Sequence, residues 1–291
     1  MTGIDDPANP ANASGATAIL ARLLEVRTGQ QLSPSRRWRI EASIKPILAE
    51  TGIATLDALV GRLAGADEPV LATRVVEALL NNETSFFRDA AMFDQLDRDG
   101  LEALRCVNAA TRRLRIWSAA CSTGQEAYSI AMAILDNAKR WEGWSVDIVG
   151  TDVSNLAVAR AAAGRYSSFE IQRGLPVRTM LRWFEQDGDD WVADPALRRS
   201  VRFTRANLLD PPPGRFDLVL CRNVLMYMPP PTRTAAFERL ADAVEPGGLL
   251  ILGAGETVIG QTDRFATHPT MRGTYLPAVV SPASLRSAAT R

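Results

Sequence analysis

Hydrophobic and polar positions follow two different patterns along this chain of 291 residues. Over residues 16–90 the apolar side chains recur every three or four positions, the spacing that places them on one face of a helix. Polar stretches such as TGQQLSPS at 28–35 separate these segments. The pattern predicts an all-helical domain followed by a linker. Residues 1–15, rich in Pro, Asn, Gly and Ala, are expected to be disordered.

The pattern changes at about residue 113, where short apolar runs begin to alternate with helical segments. The runs that predict strands are LRIWSAA (114–120), VDIVGTDV (146–153), VRFTRANL (201–208), FDLVLCRN (216–223) and GLLILGAG (248–255). Helical spacing fills 124–138, 155–164 and 232–245. For residues 91–280 this alternation predicts an α/β domain built on a doubly wound, mainly parallel sheet. Such sheets bind ligands at the carboxyl ends of their strands.

A β insertion interrupts this alternation between residues 166 and 200. The stretch WFEQDGDDWV at 183–192 predicts a hairpin whose turn is Asp187-Gly188, because Asp-Gly between two strands is a strong turn signal. The polar tail at 281–291 is expected to be frayed.

Charge and residue composition limit the chemistry that the chain can perform. Lys plus Arg and Asp plus Glu both number 33, so the net charge is zero, which disfavours a general nucleic-acid binder. The three cysteines are widely spaced and there is one histidine, so a zinc site or a Ser–His–Asp triad is hard to build. We therefore expect no metal. The chemistry should come from carboxylates, Arg, Tyr, backbone groups or an organic cofactor.

The start of the chain carries no visible targeting signal. MTGIDDPANPANASGA is polar and acidic, and it has neither the basic nor the apolar segment of a signal peptide. The sequence also has no apolar stretch long enough to cross a bilayer. These features favour a cytoplasmic protein without direct membrane insertion.

Candidate ligand-binding residues stand where the predicted strands end. The small residues of Ser118–Gly124 would let a ligand approach the backbone at the start of the next helix, although a tight strand–helix turn needs similar residues. Asp152 could hold the hydroxyls of a ribose or cap the following helix, a role for which Ser154 competes. Polar Arg222 and Asn223 end an otherwise apolar strand and could either line a ligand or be solvated.

The segment NNETSFFRD at 81–89 makes the interpretation more specific. Its Asn-x-Thr-x-Phe-Phe-Arg pattern resembles the signature of the CheR family, the methyltransferases of chemotaxis receptors. Five later blocks are similar to that family in order and spacing: WSAACSTGQEAYSIAM (117–132), GTDVSNLAVARAAAGRYS (150–167), ANLLD (206–210), FDLVLCRNVLMY (216–227) and EPGGLLILGAGE (245–256). The resemblance covers residues 16–275 and implies a class I methyltransferase domain, with a Rossmann-like sheet and a small β-hairpin insertion, after an all-α domain.

The resemblance also implies that S-adenosylmethionine binds at these strand ends and leaves as S-adenosylhomocysteine. The residues that it assigns to the cofactor site are Asn82, Thr84, Arg88, Glu126, Asp152, Asn207, Leu208, Asn223 and Val224. In this assignment Glu126 pairs with the ammonium group of the cofactor, and Asp152 holds its ribose.

The other strand ends would surround the remaining parts of the cofactor. By resemblance, Asn207 and Leu208 would flank the adenine, since one amide and one apolar side chain can frame a base. Asn223 and Val224 would line the floor beside the methionine part.

The family transfers methyl groups to receptor glutamates and forms methyl esters. A carboxylate is already a nucleophile at neutral pH, so no general base is required, which agrees with a chain that has one histidine. The enzyme then mainly aligns the two reactants. By resemblance, Arg88 and Tyr227 would be the catalytic groups that position the incoming carboxylate. Alternatively, Arg88 only pairs with the cofactor carboxylate and Tyr227 only packs.

A basic helix in the helical domain carries Arg36, Arg37, Arg39 and Lys45. By resemblance, these side chains would meet the acidic methylation regions of receptor cytoplasmic coiled coils, because Arg suits carboxylate recognition. A solvated helix face is the alternative, and we expect a monomer. Two other functions stay open. One is a protein that binds S-adenosylmethionine or S-adenosylhomocysteine as a signal without turnover, and the other is a methyltransferase of a small molecule or a nucleic acid.

Overall fold

The computed structural model describes residues 15–32, 38–65 and 67–278. The segment predicted to be disordered, 1–15, and the tail predicted to be frayed, 281–291, therefore lie outside the described residues, except for Gly15, which begins the first helix. None of the helices in the described ranges is long and apolar enough to span a membrane.

Contacts among the described residues divide the chain into two units. The first contains the described residues up to Asn81 together with Tyr227–Pro229. The second contains Asn82–Met226 and the described residues from Pro230 onward. Residues 82–90, which the sequence analysis grouped with the helical domain, belong to the second unit because Phe86 is buried in its core.

The first unit is helical, as the spacing of its apolar residues predicted. Its helices are α1 (Gly15–Thr28), α2 (Arg39–Thr51), α3 (Leu56–Gly65) and α4 (Pro69–Leu79). Their apolar faces meet in one buried cluster formed by Leu20, Leu24, Ile40, Ile44, Ile47, Leu59, Leu71, Val75, Val76 and Leu79. Helix α2 ends at Gly52, which adopts a left-handed conformation and donates its amide to the carbonyl of Leu48.

The second unit has an α/β architecture. In chain order its elements are α5 (Ala90–Gln95), a π-helical turn (Leu96–Gly100), α6 (Leu101–Val107), β1 (Arg113–Ala119), α7 (Gln125–Asp136), β2 (Ser145–Asp152), α8 (Asn155–Ala163), β3 (Arg165–Ser167), α9 (Ser168–Gln172), α10 (Val177–Trp183), β4 (Phe184–Asp187), β5 (Asp190–Ala193), α11 (Pro195–Arg199), β6 (Val201–Arg205), β7 (Phe216–Cys221), α12 (Pro230–Ala243), β8 (Val244–Leu252), β9 (Phe265–Thr267) and β10 (Thr274–Pro277). A 3-10 turn (Leu225–Tyr227) follows β7, and its last residue belongs to the first unit. The strands and helices predicted between 113 and 255 are all present, with ends shifted by a few residues.

Seven of these strands form one sheet in the order β6-β2-β1-β7-β8-β10-β9. The first five run parallel, and β10 is antiparallel to both β8 and β9. The prediction of a doubly wound, mainly parallel α/β sheet is confirmed, whereas β9 and β10 were not predicted. The chain adds β2 and β6 on one side of β1, and β7 and β8 on the other, so the strand order reverses between β1 and β7. Open α/β sheets bind ligands in the crevice at such a reversal.

The insertion between α8 and β6 contains a second sheet of three antiparallel strands in the order β3-β5-β4. The predicted hairpin lies between β4 and β5, but its turn is Gly188-Asp189, because Asp187 still pairs with Asp190. The assignment of the turn to Asp187-Gly188 was therefore wrong by one residue. Gly188 adopts φ 66°, a left-handed conformation that two-residue hairpin turns require and glycine tolerates.

Candidate functional site

The turn between β1 and α7 contains three residues with a left-handed backbone. They are Ala120 (φ 56°), Ser122 (φ 51°) and Gly124 (φ 93°). A Cβ on Gly124 would lie 2.8 Å from the Cβ of Ala161 in α8, so a side chain at this position would clash. Positive φ values are uncommon for Ala and Ser and cost energy, and such strain concentrates at functional sites. The turn is therefore a candidate part of a binding site.

Asp152, the last residue of β2, is 7% exposed and is held by backbone amides. Its carboxylate accepts hydrogen bonds from the amides of Ser122 and Ser154, both at 2.9 Å. Ser154 caps α8, since its hydroxyl accepts from the amide of Ala157 at 3.0 Å, so the alternative that Asp152 is the cap is wrong. A carboxylate can accept more than two hydrogen bonds, so the two amides orient Asp152 without excluding a ligand hydroxyl.

Glu126, in the first turn of α7, is fixed by two neighbours. The hydroxyl of Ser118 in β1 donates to its Oε1 at 2.8 Å, and Nη1 of Arg222, directly after β7, donates to its Oε2 at 3.0 Å. The side chains of Arg222 and Glu126 are 2% and 13% exposed. Because the two donors come from the ends of β1 and β7, the Glu126 carboxylate lies where the strand order reverses.

Arg222 also connects this cluster to the segment before α5. Its Nη2 donates to Oδ2 of Asp89 at 2.6 Å and to the carbonyl of Arg88 at 2.8 Å. Its guanidinium lies over the ring of Phe93, 5.7 Å from the centroid. The buried cation thus joins two carboxylates and a backbone carbonyl, which fixes its planar fork in one orientation.

Residues 82–88, which carry the Asn-x-Thr-x-Phe-Phe-Arg pattern, form neither a helix nor a strand. Two serines attach their backbone to neighbouring elements. The hydroxyl of Ser122 donates to the carbonyl of Asn82 at 2.7 Å. The hydroxyl of Ser129, in α7, accepts from the amide of Phe87 at 2.9 Å. The segment is therefore held beside the β1–α7 turn and the first turns of α7.

Phe86 anchors the same segment in the core. Its ring is 0% exposed and makes edge-to-face contacts with Tyr166 and Phe184, with centroids 5.0 and 5.4 Å away. Gly174 of the insertion passes so close that a Cβ there would lie 2.1 Å from the carbonyl oxygen of Phe86. Phe86 thus serves in packing, and the insertion contacts the backbone of the signature segment.

Asn82 and Thr84 line an open cavity of about 350 Å³. Its other lining residues are Glu83, Thr123, Gln125, Leu156, Ala157, Arg160, Glu170 and Arg173. The two arginines of the cavity form ion pairs with its two glutamates. The structure therefore brings two of the predicted cofactor residues to a cavity with the start of α7 and the first turn of α8. Asp152 and Glu126 do not line this cavity.

Arg88 is half-buried, and both its backbone and its side chain have partners. Its carbonyl accepts from Arg222, and its Nη1 donates to the carbonyl of Glu83 at 3.3 Å. A guanidinium has five N–H donors in a fork that matches an anion, so this long hydrogen bond leaves capacity for a carboxylate.

Asn207 and Leu208 follow β6, as predicted, in a loop that the Asn207 side chain stabilises. Its Oδ1 accepts from the amide of Leu209 at 3.1 Å. Leu208 is 9% exposed, so most of its side chain is packed inside the unit.

Asn223 and Val224 follow β7, and a carboxylate from the next strand end holds them. Asn223 has a left-handed backbone, φ 59°, and Val224 is 6% exposed. Their amides donate to Glu256, after β8, at 2.8 and 2.9 Å. Glu256 lies in a block that resembles the family, but the sequence assigned it no role.

Tyr227 belongs to the first unit. It is half-buried, its hydroxyl accepts from Nδ2 of Asn81 at 3.0 Å, and its carbonyl accepts from the amide of Gln31 at 2.6 Å. The first contact orients the phenol ring, and the second holds the backbone of Tyr227 within that unit.

The structure describes two of the four basic residues that were predicted to contact a receptor. Arg39 and Lys45 are exposed on α2. Arg36 and Arg37 lie outside the described residues.

Two buried thiols, Cys121 and Cys221, lie at the ends of β1 and β7. Burial raises the pKa of Cys121 well above its ordinary value, and the charges of Asp152 and Glu126 raise it further. Burial, together with the charges of Glu256 and Glu126, also raises the pKa of Cys221. Both thiols are therefore protonated at neutral pH, and a protonated thiol is a poor nucleophile.

Sequence reasoning missed how three residues organise this region. It treated Arg222 only as a ligand-lining or solvated strand end and Ser118 only as part of a small-residue turn, and it assigned no role to Glu256. Arg222 gave a weak signal, because a charged residue directly after an apolar strand is unusual. Ser118 resembles any small residue in a turn. The hydrogen bonds of Glu256 are all to backbone amides, which have no signature in a sequence.

The sheet order, the strained turn after β1 and the oriented acidic residue at the end of β2 define a class of protein. It is the class I, S-adenosylmethionine-dependent methyltransferase fold. Within that class the chain belongs to the CheR methyltransferase family, since residues 82–274 match the family described as "CheR methyltransferase, SAM binding domain". The family expected from the signature segment is confirmed.

Curated relatives extend the similarity beyond that domain. The chain is 36% identical over 249 residues to chemotaxis protein methyltransferase Cher2 of Pseudomonas putida and 37% identical over 248 residues to chemotaxis protein methyltransferase 1 of Pseudomonas aeruginosa. It is 36% identical over 250 residues to a chemotaxis protein methyltransferase of Vibrio parahaemolyticus. The similarity covers 83% or 84% of this chain and 90% of each relative.

Proposed function

We propose that this protein transfers the methyl group of S-adenosylmethionine to glutamate side chains in the cytoplasmic coiled coils of chemotaxis receptors, forming methyl esters. The observation that carries the proposal is the match of residues 82–274 to the cofactor-binding domain of the family. Relatives named chemotaxis protein methyltransferases, which match over 90% of their own length, support the receptor as the acceptor.

Two carboxylates at the strand ends fit the polar groups of the cofactor. Asp152 is buried and oriented by two amides, so it suits the hydroxyl donors of a ribose. Each oxygen of Glu126 accepts one hydrogen bond, from Ser118 or from Arg222, and can accept another from an ammonium group. The guanidinium of Arg222 supplies the counter-ion for this carboxylate in its partly buried position.

The remaining proposed contacts fit the less charged parts of the cofactor. An amide and an apolar side chain, Asn207 and Leu208, suit an adenine. Asn223 and Val224 suit the methionine part. Asn82, Thr84 and Arg88, on the segment held by Ser122 and Ser129, complete the proposed set.

The chemistry that this site needs from the protein is positioning. S-adenosylmethionine, when bound, supplies an electrophilic methyl group on a positively charged sulfur. A receptor glutamate is an anionic nucleophile at neutral pH, so no general base has to remove a proton. The protein binds the two reactants in line and excludes water. We assign Arg88 and Tyr227 to the incoming carboxylate, the first through its guanidinium fork and the second through its hydroxyl.

The proposed partner surface includes the basic residues of α2. Exposed Arg39 and Lys45, with Arg36 and Arg37 before them in the sequence, would attract the acidic surface around receptor glutamates. We propose that the enzyme acts there as a monomer in the cytoplasm, where these receptor regions lie.

The test is a transfer assay with purified components. The protein is incubated with radiolabelled S-adenosylmethionine and a panel of purified receptor cytoplasmic fragments, and the label on protein is counted before and after mild base. Label that base releases, and that disappears when the labelled glutamates are replaced by alanine, is the expected result. Base-stable label would refute an ester product. Cofactor binding without any transfer would favour a signalling protein, and label on a small molecule or nucleic acid would favour another acceptor.

Two carboxylate variants make this assay specific. Asp152→Asn should weaken cofactor binding by about tenfold or more, because it removes one charge-assisted acceptor. Asp189→Asn, in the exposed hairpin turn, is the matched control and should transfer at the unsubstituted rate. Equal activity of the two variants would contradict the proposed ribose contact.

A further inference from the structure

The carboxylate of Glu256 accepts four backbone hydrogen bonds. Oε2 accepts from the amides of Asn223 at 2.8 Å and Gly253 at 2.9 Å, and Oε1 accepts from those of Val224 at 2.9 Å and Met226 at 3.2 Å. A carboxylate offers about four acceptor positions. The hydrogen-bonding capacity of Glu256 is therefore used on the backbone, and a direct contact with a ligand is not its role.

These hydrogen bonds connect the ends of two adjacent parallel strands. Strands β7 and β8 pair side by side up to Cys221 and Leu252. Glu256 belongs to the turn after β8, where its own amide donates to the carbonyl of Gly253 at 2.9 Å. Three of its four donors belong to the segment 223–226 after β7. The carboxylate thus fastens one strand end to its neighbour.

The backbone that Glu256 holds is strained. Asn223 has φ 59°, a left-handed conformation that costs energy for any residue with a side chain, although least for Asn and Asp. Successive amides in such a conformation point to one side and form a concave nest that binds an anion. Glu256 supplies that anion from within the chain. Strained conformations persist only where the surroundings fix them, and here the fixing group is one side chain.

Gly253 leaves room for this arrangement. A Cβ at position 253 would lie 2.8 Å from Nδ2 of Asn223 and 2.8 Å from Oε2 of Glu256. The Asn223 amide group and the Glu256 carboxylate therefore both pack against the backbone of residue 253, so the position of the Asn223 side chain depends on the same contact.

From these contacts we infer that Glu256 is a positioning residue of the cofactor site. It holds residues 223–226 in the conformation in which Asn223 can bind the methionine part of S-adenosylmethionine. This inference rests on the proposed function, because it deepens the role of Asn223 in that site. Glu256 acts through Asn223, so its effect on cofactor affinity should depend on whether the Asn223 side chain is present.

The first measurement is calorimetric titration of the full chain with S-adenosylhomocysteine. Glu256→Gln keeps the size of the side chain but replaces one acceptor oxygen by a carboxamide NH2 group, a donor that would face two backbone amide donors. The conformation of residues 223–226 that binds the cofactor then becomes less populated, and the affinity for S-adenosylhomocysteine falls by the same factor. We expect binding to weaken about tenfold to a hundredfold, as when one or two buried donors lose their acceptor. Exposed Asp263→Asn, the same chemical change outside the loop, should bind like the unsubstituted protein.

A second variant and a double-variant cycle separate positioning from a general loss of structure. Gly253→Ala disturbs the same contact without changing a charge and should weaken binding in the same direction. If Glu256→Gln is too unstable to titrate, the affinity of Gly253→Ala for S-adenosylhomocysteine tests the inference instead. Asn223→Gly removes the side chain but tolerates φ 59°. In the Asn223→Gly background, Glu256→Gln should weaken binding by less than about threefold, because the two changes affect one contact.

The possible results lead to different conclusions. Unchanged affinity in both Glu256→Gln and Gly253→Ala would overturn the inference. A loss of the same size with and without the Asn223 side chain would also overturn it, since Glu256 would then act elsewhere. Absence of binding by the unsubstituted protein would instead refute the cofactor site itself, so the failure of the proposed function is distinguishable from the failure of this inference.

Discussion

The substitution Arg222→Met removes the buried positive charge after β7 while keeping an unbranched side chain. The guanidinium is 2% exposed and donates to Glu126, Asp89 and the carbonyl of Arg88. Without it, Glu126, whose side chain is 13% exposed, loses its counter-ion and keeps the hydroxyl of Ser118 as its hydrogen-bond donor. A charge left in such a position without its counter-ion is strongly unfavourable, so the variant should be destabilised.

The size of the loss follows from the exposure of each group. Removing one partner of a buried ion pair costs about 3–5 kcal/mol. Two features favour the lower end of this range. The side chain of Asp89 is 44% exposed, so water can solvate it. Nε of Arg222 is buried without a hydrogen-bond partner in the described part of the chain, and its removal ends that penalty. We expect about 3 kcal/mol, or a melting temperature lower by roughly 6–12 °C for a unit of this size.

Urea unfolding at neutral pH, followed by tryptophan fluorescence, measures this loss. The matched control is Arg98→Met, because Arg98 is exposed and pairs with the adjacent Asp99. That change should leave the free energy of unfolding essentially unaltered. Adding Glu126→Gln to Arg222→Met removes the isolated charge and should restore about 1–2 kcal/mol. Equal costs for Arg222→Met and Arg98→Met, or strictly additive costs for the double variant, would refute the reasoning.

Three further outcomes are expected. A thiol reagent should modify exposed Cys106 quickly in the native protein, and Cys121 and Cys221 only after unfolding in urea, which counting modified thiols checks. Desolvation opposes ionisation of Glu170, but its hydrogen bonds and a nearby guanidinium outweigh it and leave the pKa below its ordinary value. Its stabilising effect is then present at neutral pH and lost as pH falls through that lowered pKa, so Glu170→Gln should cost about 1 kcal/mol at pH 7 and progressively less as the pH is lowered. Phe86→Ala should cost about 3–5 kcal/mol in urea unfolding and weaken S-adenosylhomocysteine binding, because the ring anchors the signature segment; unchanged affinity would contradict that anchoring role.

The sequence predicted the parallel part of the sheet because buried parallel strands are continuous apolar runs. LRIWSAA and FDLVLCRN stand out against their flanks for this reason, and they became β1 and β7. Strands β3, β9 and β10 have only three or four residues, too few to show a period of two. The one-residue error in the hairpin turn arose because the Asp-Gly pair matches a common turn, while the strand pairing ends one residue later.

Candidate site residues were predictable where a polar residue interrupts an apolar strand. Asp152 and Asn223 both do so. The partners of Arg222 were not predictable, since Glu126 and Asp89 lie 96 and 133 residues away and meet it only once the strand order is known. Ionic contacts across parallel strands depend on topology, whereas strand ends depend on local composition. The sequence therefore predicted the strand ends but not the ionic contacts between them.

Backbone strain and buried charge occur together in this protein, which explains how the site is built. Five of the six non-glycine residues with positive φ in the described chain belong to the signature segment or follow a parallel strand: Phe87, Asp89, Ala120, Ser122 and Asn223. Ser122 and Asn223 donate their amides to buried or half-buried carboxylates of the neighbouring strand end, and Phe87 donates to the hydroxyl of Ser129. Each hydrogen bond offsets part of the cost of the conformation, and each carboxylate is stabilised by amides that cannot reorganise. The strand ends are thereby pre-organised by the fold, with Glu126 and Asp152 already oriented. These groups do not have to become ordered when a cofactor binds. Binding therefore avoids the entropic cost of ordering them.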